Sequence, residues 1–287
     1  MNAQVKKGHV CADPWTLPTK YMPMNAAQRK LITGGLSKPS KMPGYSYNLP
    51  AIHCKTGSKL AQIPGTTCHG CYALKGRYRF PNVMDAMMRR LGSITRPDWA
   101  RTMAADINAR KSRWFRWHDS GDVQSVKHLL KIFHVCRLTP DVAHWIPTRE
   151  AGLLSKIPAE RVPANLTIRL SATKVDGPAP RSWHLTSTVV TEGRTCPAPD
   201  QDNECKSCRA CGTRTFKRLH MVNTRPGHVA PGLTVDEAYR RWGYKLRRKR
   251  QAASYKRQAA SSTLSSSDQA ASDKQQASSC ELQATSS

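Results

Sequence analysis

Between residues 81 and 190 the apolar positions follow two alternating rhythms. Val83, Met84, Met87, Met88 and Leu91 recur three and four apart and predict a helix, with Gly92 near its end. Pro97 and Asp98 open a second helix carrying Trp99, Met103 and Ile107. Trp114, Phe115 and Trp117 then form a short strand, and Val123, Val126, Leu129, Leu130 and Phe133 place a helix over 123–137. Further strands are predicted at 142–146, 165–172 and 183–190, with a short helix through Leu153, Leu154 and Ile157. Tyr45, Tyr47 and Leu49 alternate as a strand would before Pro50. Strands alternating with helices predict a parallel sheet, and a repeat of about 25 residues is that of an eightfold barrel. Four legible units are fewer than a full barrel needs. The expected class is therefore α/β: a TIM-barrel-like or partial (β/α) barrel, with an open sheet equally allowed.

The flanks differ in character. Residues 1–52 hold six prolines, Pro14 to Pro50, and Gly34-Gly35, which predict an extended N-terminal segment. Residues 53–228 form the expected catalytic domain. A basic helix is predicted over 229–250, where Thr234 and Glu237 fit a capping box and Arg247 to Arg250 offer a phosphate-contacting run. From 251 to 287 serine, alanine, glutamine and lysine dominate, a composition that cannot bury enough apolar surface to fold.

Charge narrows the partners. The chain has 46 basic and 19 acidic residues, a net charge of +27 spread along its length. A polyanion, most simply DNA or another nucleic acid, is the expected partner. No apolar run reaches the roughly 18 residues of a membrane span, and the first residues lack an apolar signal core, so a cytoplasmic protein without a membrane partner is expected. The sequence sets no oligomeric state. Ten cysteines in a reducing compartment point to metal rather than disulfides.

Seven of the ten fall into two groups. Cys54 precedes Cys68-His-Gly-Cys71, where the x2 spacing lets two thiolates reach one metal from a single turn. His53 or His69 would complete a zinc site, whereas three thiolates with an open position suit an iron–sulfur cluster. The second group is Cys196, Cys205, Cys208 and Cys211, with Arg194, Lys206, Arg209 and Arg214 around it to favour thiolates. Zinc is the expected metal there, ahead of an iron–sulfur cluster, with His220 and His228 as alternative fourth ligands.

The remaining chemistry sits where the strand over 113–117 stops, at His118-Asp119-Ser120-Gly121-Asp122. Ligands and catalytic groups gather at the carboxyl ends of parallel strands. Helix capping by Ser120 or Asp122 would explain one of these residues but not Asp119.

His118 to Ser125 resembles the Asp-Ser-Gly-Gly-x-Gln segment of tRNA-guanine transglycosylases, with Asp122 at the second glycine. Trp145-Ile-Pro-Thr-Arg149 resembles their Leu-Pro-Thr-Arg segment, and Cys205, Cys208 and Cys211 resemble their C-terminal zinc site. The short, basic chain looks closer to the phage branch that inserts 7-deazaguanine bases into DNA, and to a phage protein family with the same cysteine-rich ends. The resemblance implies exchange of guanine in DNA for a 7-deazaguanine, a modification that protects phage DNA from restriction. It implies a carboxylate nucleophile and a second acid/base: Asp119 in one role, Asp122 or Asp176 in the other, with Glu150 a further candidate nucleophile. His118, Ser120, Gly121, Gln124 and Arg149 would bind the substrate, and the base would leave the stack to reach them.

Two other readings stand beside it. Cys68-His-Gly-Cys71-Tyr-Ala also resembles part of the cluster loop of radical-SAM enzymes, which are partial or full barrels; Cys54 would then be the third ligand, and a nucleotide or nucleic acid the substrate. A non-catalytic zinc protein that binds nucleic acid explains the charge and the cysteines, but not His118 to Asp122.

Overall fold

A computed structural model of the chain describes residues 24–222. Among them six strands form one sheet in the order of the chain: β1 (Tyr45–Tyr47), β2 (Trp114–Trp117), β3 (Ala143–Thr148), β4 (Leu166–Val175), β5 (Thr186–Val190) and β6 (Arg218–Val222). Every neighbouring pair is parallel. β1 and β6 are the two edges and do not pair, so the sheet is open. This is a partial β/α arrangement, not a closed eight-stranded barrel. The predicted helices are present as α3 (Pro81–Ser93), α4 (Trp99–Ala109), α5 (Val126–Leu138) and the short α6 (Ala151–Leu154).

Three details depart from expectation. The extended N-terminal segment contains a helix, α1 (Ala26–Thr33), with a full capping box from Asn25 and Gln28 and a left-handed stop at Gly34. Its polar face hid it, because Thr33 is its one buried residue. A second short helix, α2 (Lys55–Leu60), follows Cys54 directly. The α5 helix starts at Val126, with Ser125 as its cap accepting from the His128 amide at 3.0 Å; neither Ser120 nor Asp122 caps it. The expected basic helix at 229–250, His228 and the tail 251–287 lie outside the described residues.

The two faces of the sheet differ. Tyr47, Phe115, Trp117, Ile146, Ile168 and Leu170 point one way and pack on Trp99, Met103 and Ile107 of α4 and on Leu129, Ile132 and Phe133 of α5. Tyr47 organises this layer, taking the Trp99 indole N–H at 3.0 Å and donating to the Thr33 carbonyl at 2.6 Å. The opposite face carries Arg116, Trp145, Thr167 and Arg169. It is covered by the cysteine-rich segment between β5 and β6: Thr167 Oγ1 donates to the Gly212 carbonyl at 3.0 Å, and Gly212 lies against the Trp145 ring. Such strict alternation in and out of the core fixes which side chains can reach each layer.

Candidate active site at the carboxyl edge of the sheet

The loop after β1 crosses the carboxyl ends of its neighbours. Thr67 N donates to the Thr173 carbonyl at 2.9 Å, and Val175 N donates back to the Gly65 carbonyl at 3.0 Å, so the loop reaches the end of β4. It carries Cys54, Cys68 and Cys71, all free thiols, with Cys68 buried. A side-chain carbon at Gly57 would stand 3.5 Å from Cys68 Sγ and 3.6 Å from Cys54 Sγ. Glycine thus keeps open a cradle between two thiols. Burial, then the carboxylate of Asp122 and the thiols of Cys71 and Cys68, push the Cys54 thiol well above its usual range. The Arg149 guanidinium acts the other way on Cys68 and Cys71, favouring their thiolates. Among the described residues no group of three or more His, Cys, Asp or Glu is placed to hold a metal ion.

The polar residues singled out in the sequence frame this loop. The Asp122 carboxylate accepts from Thr148 Oγ1 at 2.6 Å, Arg149 N at 2.9 Å and Val123 N at 2.7 Å, tying the turn after β2 to the turn after β3. Burial raises its pKa to about 6 despite these bonds. Arg149 Nε donates to Thr67 Oγ1 at 2.8 Å, and Glu150 accepts from both Thr56 N and Thr56 Oγ1. Asp119 is buried under the same loop. Its Oδ2 accepts from Tyr78 Oη at 3.0 Å and Asn48 Nδ2 at 3.3 Å, and its carbonyl accepts from Tyr72 Oη. Asp119 Oδ1 is buried with no hydrogen-bond partner.

The turn itself is zipped to the end of β1. His118 N donates to the Tyr47 carbonyl, Leu49 N to the Ser120 carbonyl, and Ser120 Oγ to the Leu49 carbonyl at 2.9 Å. Gly121 has φ +78°, and a side chain there would sit 2.6 Å from Leu49 Cβ. Gln124 Nε2 turns back to the Asp122 carbonyl at 2.8 Å. His118 is buried with neither ring nitrogen hydrogen-bonded, and burial lowers its pKa to about 3. Asp176 is set apart: it is exposed at the end of β4, with both carboxylate oxygens bound to Thr191. Of the candidate fourth ligands, His69 Nδ1 lies 3.1 Å from the Ala61 carbonyl, and His220 Nδ1 lies 2.7 Å from Thr188 Oγ1.

Sequence reasoning missed the frame residues Asn48, Thr56, Thr67, Tyr72 and Tyr78. Only the two tyrosines left a trace, as aromatic positions just after the Cys-x2-Cys pair. A cavity of about 400 Å³ lies beside α1 and α3, and its wall of Lys30, Arg89, Arg90 and Arg110 holds no acid or thiol.

The family model described as Gene product 88 matches residues 22–189. No curated protein and no solved structure matches the chain. The matched span runs from before α1 to the end of β5 and includes Cys54, Cys68, Cys71, the turn after β2 and the turn after β3, while the second cysteine group lies beyond it. More than half of the chain lies within that match, and the chain belongs to the gene product 88 family of bacteriophage proteins.

Proposed function

We propose that this protein is a radical-SAM-like enzyme that acts on a nucleic acid or nucleotide, with Cys54, Cys68 and Cys71 holding a [4Fe–4S] cluster. One observation carries the reading: a single loop brings Cys54, Cys68 and Cys71 to the carboxyl ends of a sequentially ordered parallel sheet, and Asp119, Arg149 and Glu150 are hydrogen-bonded to that loop. The cradle at Gly57 and the all-thiol donor set fit such a cluster. When bound, a cluster with one iron free of cysteine takes S-adenosylmethionine as its outer ligand and, given an electron, supplies radical chemistry. The chain's own residues do the positioning. Glu150 fixes the first turn of α2 behind Cys54. Arg149 sets a guanidinium near Cys68 and Cys71, where its charge favours thiolates. Asp122 holds the two turns together. The net charge of +27 supports a polyanionic substrate.

The test is anaerobic purification, iron and sulfide analysis, and incubation with S-adenosylmethionine and a strong reductant. The expected result is about four irons at this site, with release of methionine and 5′-deoxyadenosine. Both should be lost when Cys54, Cys68 and Cys71 are changed to alanine. A chain whose reconstituted metal content is unchanged by those substitutions would end the proposal.

Base exchange is a second reading, favoured by one observation: the unpartnered Oδ1 of buried Asp119. It would make Asp119 the nucleophile toward deoxyribose, with zinc structural. Its expected sign is release of labelled guanine from DNA in the presence of a 7-deazaguanine, lost in Asp119→Asn and indifferent to iron. DNA binding with neither activity would leave a non-catalytic role.

A further inference from the structure

The cavity of about 400 Å³ beside α1 and α3 has charge of one sign in its wall. Lys30 of α1, Arg89 and Arg90 of α3 and Arg110 at the end of α4 line it, and no acidic residue does. Lys30, Arg89 and Arg110 are exposed, whereas Arg90 is buried, with 5% of its surface accessible. Among the described residues only Arg110 of the four is ion-paired, to Asp106 at 3.2 Å, and Asp106 also takes Arg29 at 3.4 Å. The buried guanidinium has neutral partners: Arg90 Nε donates to the Gly35 carbonyl at 2.6 Å, Nη1 donates to Asn48 Oδ1, and the Tyr47 ring centre lies 5.9 Å away.

Cations gathered around one cavity repel one another, and a buried guanidinium without a carboxylate keeps much of its desolvation cost. Helix α1 ends at this wall, with Gly34 as its C-cap. A helix carboxyl end favours cations but carries only about half a negative charge, too little to offset four. An anion within the cavity offsets the repulsion and the desolvation together. The planar forks of three arginines suit the oxygens of a phosphate better than they suit a simple spherical anion.

The same arginine connects the cavity with the carboxyl edge of the sheet. Asn48 accepts from Arg90 at Oδ1 and donates from Nδ2 to Asp119 Oδ2 at 3.3 Å. One side chain therefore separates the cavity wall from the buried carboxylate of the candidate site. We propose that this cavity binds a phosphate of the substrate, with Arg90 as its buried contact and Lys30, Arg89 and Arg110 as its exposed ones. Asn48 holds this phosphate site in fixed register with Asp119. The ligand chemistry is a phosphoryl group, which a nucleic-acid strand or a free nucleotide would bring. The inference rests on the reading of a nucleic acid or nucleotide as substrate, and not on the iron–sulfur cluster.

The experiment measures binding of a fluorescein-labelled oligothymidylate to the full-length chain across a salt series, and binding of dGMP by calorimetry. Two cavity variants are compared with the parent. Lys30→Gln/Arg89→Gln removes two exposed cations, and Ala27→Glu sets a carboxylate in the wall at an exposed helical position. A control, Arg137→Gln/Arg161→Gln, removes two exposed cations outside the wall. Circular dichroism confirms folding, and iron content is recorded for each. Oligonucleotide binding should weaken about tenfold or more in both cavity variants, with the salt slope of the double variant reduced by about one, while the control changes little. Equal weakening in the cavity and control variants would overturn the inference in favour of diffuse attraction. Unchanged binding in both cavity variants would also overturn it; with S-adenosylmethionine cleavage intact, the proposed function would stand. The expected pattern in a chain that holds no iron would support the phosphate site and remove the radical reading. Binding of dGMP alone, lost in the cavity variants, would support the site and assign it a free nucleotide. A chain that binds neither probe would overturn it, whatever its iron content.

Discussion

Glu150 and Thr56, 94 positions apart, are joined by two hydrogen bonds: the Thr56 amide donates to Oε1 at 2.9 Å and its hydroxyl to Oε2 at 2.8 Å. One carboxylate after β3 thereby satisfies both donors of a residue in the first turn of α2, next to Cys54. A free amide at the start of a helix has no partner within the helix, so an outside acceptor there is worth more than an average bond. Glu150→Ala should therefore cost about 1–3 kcal/mol of stability and lower the iron retained after reconstitution. Thr56→Ser, which keeps both donors, should be close to neutral. Urea denaturation together with iron analysis reads both effects; equal behaviour of the two variants would show that the link does not hold the loop.

Gly57 tests the room beside the two thiols. A side-chain carbon there would meet Cys54 Cβ at 3.0 Å, so Gly57→Val should cost about 1–3 kcal/mol of stability. Its side chain would fill the space between Cys54 and Cys68. Iron content at the carboxyl edge should then fall severalfold, read on protein shown to be folded by circular dichroism. Full iron loading in Gly57→Val would count against the cradle.

Gly121 should tolerate no side chain. Its left-handed backbone and the approach of Leu49 to 2.6 Å leave room for neither the conformation nor the carbon. Gly121→Ala is expected to cost about 2–4 kcal/mol, measured by chemical denaturation, and to loosen the seam between β1 and the turn after β2.

Arg169 is buried and spends its guanidinium on backbone carbonyls of the cysteine-rich segment. Arg169→Ala leaves those carbonyls without their donor, and a loss of at least about 3 kcal/mol is expected. Limited proteolysis should cut first within residues 196–216 while the helix-covered layer persists. Arg169→Lys should recover only part, since one ammonium cannot reach so many separated acceptors.

Acid should unfold the protein early. Burial lowers the pKa of His118 and of His144 to about 3, and that of His128 well below its usual value. Below about pH 6.5 the unfolded chain takes up three protons that the folded chain refuses, so stability present at neutral pH is lost as pH falls. The slope is about 4 kcal/mol per pH unit. Asp122 acts in the opposite sense between about pH 6 and 4, because its raised pKa lets the folded state hold a proton that the unfolded state has released. The net slope in that window is about 3 kcal/mol per unit, steep against a total of about 5–15 kcal/mol. Urea midpoints at pH 7 and pH 5 should differ clearly; equal midpoints would show that these imidazoles titrate normally.

Much of the layout was legible because it is local. Trp114 to Trp117, Val142 to Ile146 and Asn165 to Ala172 announce strands by alternation and by branched and aromatic content, and α3 to α5 announce themselves by their spacing. The strand over 218–222 was missed although Leu219 and Met221 alternate there, because the neighbouring cysteines drew the whole segment into a metal reading. Helix α1 was missed although Asn25, Gln28 and Gly34 spell its start and stop.

The sequence by itself determined the parallel β/α class, the two cysteine groups and the polar turn after Trp117, since each is written in residues close together along the chain. Only the tertiary structure decided that Asp119, Arg149 and Glu150 bind the loop of Cys54, Cys68 and Cys71. It alone placed the second cysteine group on the face where Arg116 and Arg169 point. Those pairings span tens of residues and depend on strand register, which sets whether an arginine in a strand meets the helices or the opposite face; no spacing along the chain carries that information.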